Sequence, residues 1–153
     1  MIGVDNVSGI SHIIELAIAP AFLLVGIGHI LVVLTNRLGR ITDRARALEI
    51  EYEGAERDAE ERAMTLKELM VLDRRMTLSH WSISLCTASA LFVCLVVMLL
   101  FLSDALDFEF AGSLVGLFIV TMSTLIGGLV LFFIEVSIAT RHIGVRRDLL
   151  RRN

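Results

Sequence analysis

The chain has 153 residues, of which 56% are hydrophobic and 20% charged, and its mean hydropathy is +0.76. A soluble domain is less apolar and more charged than this. Three uncharged apolar stretches, residues 16–36, 76–103 and 110–134, each exceed the ~18 residues that mark a bilayer span. The longest segment between them, residues 37–75, falls well short of the ~100 residues of an ordinary catalytic domain, so an enzyme is not expected.

Residues 1–15 form the first segment and carry Asp5 and Glu15 but no Lys or Arg. All 14 Lys and Arg lie either in residues 37–75, which hold nine, or after the third span, which is followed by five. Basic residues are retained on the cytoplasmic side during insertion. The fold expected is therefore an all-α membrane protein with three transmembrane helices, the N-terminus outside, and a helical hairpin and the C-terminus inside. The first span is read as a membrane helix and not a signal peptide, because no positive region precedes it and it is too long for a leader's apolar core. Pro20 is placed in the first turns of that span, where a missing amide donor costs least.

Residues 37–75 carry nine basic and ten acidic residues, yet Ile41, Ala45, Leu48, Tyr52, Ala55 and Ala59, then Leu66, Leu69 and Met76, follow the alternating four and three spacing of a coiled-coil seam. Both ends must return to the same membrane face, and Gly54 is the natural turn. The spacing predicts two antiparallel helices, each continuous with a span. Charges such as Glu49, Glu53 and Arg57 can pair along these helices, either as a solvated face or as a surface for a cytoplasmic protein partner.

Within the spans, polar residues are costly and their phase carries information. On span one, Glu15, Ala19, Phe22, Gly26, His29, Val33, Asn36, Arg40 and Asp43 share one face. That face reads either as a cation or proton pathway or as a packing surface on which Gly26 and Ala19 permit close approach. On span two, Ser79, Ser82, Cys86 and Ser89 form a small-residue stripe whose serines are expected to bond back to carbonyls one turn earlier. His80 and Trp81 fit the inner interfacial belt. Cys86 and Cys94 are about 12 Å apart along one helix, too far for a disulfide.

The turn between spans two and three, residues 104–109, offers Asp104, Asp107 and Glu109 as an outer acidic mouth, a solvated loop or a weak calcium attractor. On span three, Thr121, Thr124, Gly128, Glu135 and His142 lie on one side. Glu135 is about 9 Å and His29 about 12 Å inside their nearest Arg, so the two can pair; Glu135 can also reach the interface or Arg141. Gly112, Gly116, Gly127 and Gly128 suit tight helix association. Residues 135–153 end the helix in an Arg-rich tail suited to anionic inner-leaflet lipid, and nothing in it resembles a folded nucleic-acid reader. No nucleotide, zinc-protease or hydrolase motif occurs. No catalytic residue, cofactor or metal site is assigned, although His12 and Glu15 offer two weak ligands.

Residues 20–28 (PAFLLVGIG) and 34–48 (LTNRLGRITDRARAL) resemble a family of small bacterial membrane proteins, domain of unknown function 2721. The second run is the specific part, and it contains Asn36, Arg37, Arg40, Asp43 and Arg44. The resemblance extends to the three-span layout and the stretch around Glu135. It implies a multi-pass protein of the bacterial inner membrane and supplies no activity.

Three helices enclose little space, so a conduction route would lie between copies. The leading expectation is a homo-oligomer conducting cations or protons, with Glu15, His29, Asn36, Thr121, Thr124 and Glu135 lining the path. The competing one is a structural or assembly subunit that grips a partner through its hairpin. A third is an insertase-like groove, by analogy of topology alone.

Overall fold

The computed structural model describes the backbone of residues 4–53, 59–105 and 111–150, and the side chains of residues 14–52, 60–103 and 112–140. These residues form three α-helices: α1 (Val4–Glu53), α2 (Ala59–Ala105) and α3 (Ala111–Leu150), with no strand among them. All three are long and apolar enough to cross a membrane, with hydropathies of 2.4, 2.8 and 2.5 over their most apolar windows. The chain is thus an all-helical, multi-pass membrane protein. Helices are the natural outcome, since lipid offers no partner to an unpaired backbone amide or carbonyl. The turn at Gly54, the acids Asp107 and Glu109, and the side chains of Asp5, His12, Asp104, Arg141 and His142 lie outside the described residues.

No breaker separates the apolar half of α1 from its charged half, and the helix runs through Asn36 and Arg37 without interruption. The α2 helix opens with Glu60 and Glu61 in its first turn, where acids complement the helix dipole. The expectation for Pro20 needs correcting. Because α1 begins at Val4, Pro20 lies in the helix interior and deprives the Leu16 carbonyl of its amide partner. Membrane helices tolerate such a residue when neighbouring groups satisfy the freed backbone, and Pro20 is buried.

The chain divides into two compact units. One comprises Val32–Ser84 and Gly128–Asn153. Its core is aliphatic: Ile41, Ala45, Leu48 and Leu72 are buried, with Leu69 and Met76 packed against them. Leu34, Ile41 and Leu48 recur every seven residues along α1, as do Thr65, Leu72 and Ser79 along α2, the spacing that keeps one helix face turned to a neighbour. This register corrects the expected place of Leu66, which is exposed. Thr65, about 100° away round the helix, points inward instead and donates its hydroxyl to the Glu61 carbonyl at 3.0 Å.

The other unit comprises Met1–Leu31 and Leu85–Gly127. Ile27 of α1, Cys86, Ser89, Val93 and Val96 of α2, and Thr121 and Leu125 of α3 are buried in it. Its interior is built from small and branched residues, and Gly127 lets Leu85 Cδ1 approach to 3.6 Å of where a Cβ would stand. Gly112 and Gly116 approach nothing within 4 Å, and neither does Gly26. Among the described residues, therefore, nothing packs closely against these three glycines. Both cysteines are free thiols, Cys86 buried and Cys94 exposed.

Candidate functional site

The densest chemistry centres on Glu135, the only charged residue of α3 before its C-terminal Arg run. Its side chain is 0% exposed, and α1 and α2 each supply an arginine to it. Arg75 Nε donates to Oε1 at 2.9 Å. Arg37 Nε stands 2.7 Å from Oε2 as a charge contact without hydrogen-bond alignment. The Arg37 guanidinium also lies 5.6 Å over the Phe132 ring, a cation–π contact one turn from the carboxylate. Two guanidiniums against one carboxylate leave this three-helix clasp with a net charge of +1.

Hydroxyls extend the contact between α2 and α3. In the unit that holds the clasp, Ser82 Oγ donates to the Gly128 carbonyl at 2.7 Å, and Gly128 is itself buried. In the other unit, Ser89 Oγ donates to the Thr121 carbonyl at 3.2 Å. These bonds cross between helices, whereas the sequence predicts serines bonded back along α2. The small side chain of serine and the bare Gly128 allow an approach close enough for the hydroxyl to reach a foreign carbonyl.

Arg75 is the residue that sequence reasoning missed, having counted it only as an aqueous charge. A signal was available. Arg75, Ser82 and Ser89 step by seven along α2, while Glu135, Gly128 and Thr121 step by seven the opposite way along α3, as two antiparallel helices in fixed register require.

The other candidate pathway residues occupy two kinds of surroundings. Thr121 is buried and donates to the Leu117 carbonyl at 2.7 Å, and Thr124 donates to the Val120 carbonyl at 2.8 Å. Glu15, His29 and Asn36 are exposed. His29 Nδ1 donates to the Val25 carbonyl at 2.9 Å, so the recorded partners of His29 and Glu135 are Val25 and the two arginines. His29 and Asn36 each come two residues after a buried position, Ile27 and Leu34, which is about 200° round the helix. Their stripe faces away from the buried one.

The specific run of α1 is likewise divided. Arg37 enters the clasp, Arg44 Nη2 pairs with Glu68 of α2 at 3.0 Å, and Asn36, Arg40 and Asp43 are exposed. Thr42 Oγ1 donates to the Leu38 carbonyl and lies 3.8 Å from Met76 Sδ. Arg37, Arg40, Ile41, Arg44, Leu72 and Arg75 line a groove of about 210 Å³. Among the described residues no three His, Cys, Asp or Glu are placed to hold a metal ion.

No curated protein and no solved structure matches the chain. A family model, described as "Protein of unknown function (DUF2721)", matches residues 17–145. That match takes in the arginine-bearing run of α1, all of the described part of α2 and the Glu135 region of α3, so the chain belongs to the DUF2721 family.

Proposed function

We propose that this protein is a structural or assembly subunit of a membrane, which binds a partner protein through its hydrophilic helical hairpin in the cytoplasm. One observation carries the reading. The hairpin closes its own core over Ile41, Ala45, Leu48 and Leu72, yet leaves Ile50 72% and Met70 69% exposed, with Met64 and Leu66 also uncovered. Apolar residues outside the apolar spans and rimmed by charge are the usual mark of a protein contact. The clasp supports the same reading from the other side. A carboxylate held by two guanidiniums belongs to a net positive cluster, which repels a passing cation and ties three helices together instead.

The test places a photocrosslinking residue at Ile50, Met70 or Phe22 in the full-length protein in its native membrane. A discrete adduct with one other protein is expected from the two hairpin positions, lost on Ile50→Lys with Met70→Lys, and Phe22 should yield lipid. Adducts of equal yield and identity from all three would overturn the proposal. Purified protein in liposomes should pass neither protons nor potassium.

A second reading has its own observation. Glu15, His29 and Asn36 are exposed on α1 and not spent inside the bundle, so copies meeting along that face would place an imidazole and a carboxylate between protomers. Cation or proton conduction by a homo-oligomer rests on that face. A closed ring of four or more copies by native mass spectrometry, with flux abolished by His29→Ala, would establish it over the first reading.

A further inference from the structure

We propose that the groove lined by Arg37, Arg40, Arg44 and Arg75 is a binding site for a phosphate group, and that the phosphate belongs to the headgroup of an anionic phospholipid. Four guanidiniums line the groove with Ile41 and Leu72, and no acid does. The neighbouring acids do not neutralise it. Glu135 is shared by Arg37 and Arg75, Glu68 pairs with Arg44 across an exposed contact, and Arg40 has no ion pair among the described residues. Among the described residues, two carboxylates pair with three of the four lining arginines.

The donors left over are the ones a phosphate uses. Arg37 and Arg75 both meet Glu135 through Nε, so the terminal nitrogens of both side chains are free of hydrogen bonds among the described residues. The Arg75 guanidinium, its Nε fixed by the hydrogen bond to Glu135, presents its outer nitrogens at a set angle, the preorganised fork that recognises phosphate oxygens. Arg37, Arg40 and Arg44 also share one face of α1 at spacings of three and four, an arrangement of like charges whose mutual repulsion a bound anion relieves.

Position favours a lipid as the source. Arg37 follows directly on the uncharged run of residues 16–36, and Glu135 follows directly on that of residues 110–134. The groove therefore lies where apolar sequence gives way to charge on two helices, the level at which phospholipid phosphates sit. Basic pockets between membrane helices at this level are suited to anionic headgroups. The inference requires the membrane location alone and is independent of any protein partner.

The experiment is native mass spectrometry of the full chain, delipidated in detergent and titrated with phosphatidylglycerol, phosphatidylcholine or inorganic phosphate. The variants are Arg40→Gln with Arg44→Gln, and, as a control of equal charge, Arg46→Gln with Arg74→Gln, exposed residues that do not line the groove. None of these four belongs to the clasp, and an unchanged unfolding midpoint verifies the fold. The wild type and the control should retain phosphatidylglycerol in preference to phosphatidylcholine, and the groove variant should bind it roughly 30-fold more weakly, the loss expected for two interfacial charges. Displacement of the lipid by millimolar inorganic phosphate, or binding of phosphate alone, would keep the site but assign it to a soluble phosphate. Equal retention of both lipids by the wild type, or equal losses in groove variant and control, would overturn the proposal.

Discussion

The two units of this protein are built from the same three helices and held by different forces. In the unit of Val32–Ser84 and Gly128–Asn153, a buried carboxylate draws in an arginine from each of the other two helices and an aliphatic core joins α1 to α2. In the unit of Met1–Leu31 and Leu85–Gly127, small and branched residues pack, and Ser89 donates a hydrogen bond from α2 to α3. Lipid tails are as apolar as leucine, so no hydrophobic force drives the helices of an apolar segment together, and close packing with a few polar bonds must suffice. Where, as proposed, the charged halves of α1 and α2 stand in water, that force returns for their aliphatic core. The difference teaches that one unit of this chain relies on buried charge and the other on close packing.

The strongest way to break this contrast is Glu135→Ala, which strands two part-buried guanidiniums. Uncompensated buried charge of this kind costs about 3–5 kcal/mol, to be measured as unfolding in nanodiscs. Replacing Arg37, Arg75 and Glu135 together with Met, Met and Leu should recover most of the loss, because an apolar set avoids the desolvation that the charges incur. If Glu135→Ala unfolds with the wild type, the clasp contributes no stability and the contrast fails. Next in size is Leu72→Ala in the aliphatic core between α1 and α2, at about 2–4 kcal/mol for a buried leucine. Its effect should be read by proteolysis of the hairpin, with the spans left intact. Ser82→Ala removes one interhelical bond and should cost only about 0.6 kcal/mol, the mean for such bonds in a bilayer. A loss several times larger would mean that hydroxyls, and not the clasp, hold α3 in place.

How much of this was legible in the sequence follows the same division. Ile41, Ala45 and Leu48 were readable because, in a charged segment, apolar residues stand out at their helical spacing. The spans offer no such contrast, since their inward and lipid-facing residues are both apolar. Only their small and polar residues marked an inner face there: on α2 that reading placed Ser79, Ser82, Cys86 and Ser89 together, and on α3 Thr121, Gly128 and Glu135, all of them buried. The polar stripe of α1 was visible, but its direction was not. Polarity points outward in water and usually inward in lipid, and His29 and Asn36 are exposed while their buried neighbours Ile27 and Leu34 are aliphatic. The clasp was half legible. Glu135 stood out as a lone acid, but its partners come from positions about 98 and 60 residues earlier, and a long-range pair leaves no local pattern unless the opposed seven-residue steps of α2 and α3 are aligned.

The smallest expected effect sharpens the outward face of α1. Gly26 is exposed, and a methyl placed there meets nothing within 4 Å, so Gly26→Ala should leave the stability of a single copy within about 0.5 kcal/mol or raise it slightly through the better helix propensity of alanine. Glycine is seldom kept at an open helical position for the sake of the helix itself. If copies of the chain meet along the face that carries His29, the added methyl holds their backbones apart, and the oligomer should lose mass in native mass spectrometry while each copy unfolds as before. If the mass is unchanged, that face looks onto lipid, the conduction reading loses its interface, and the proposed contact through Ile50 and Met70 is left as the reading to pursue.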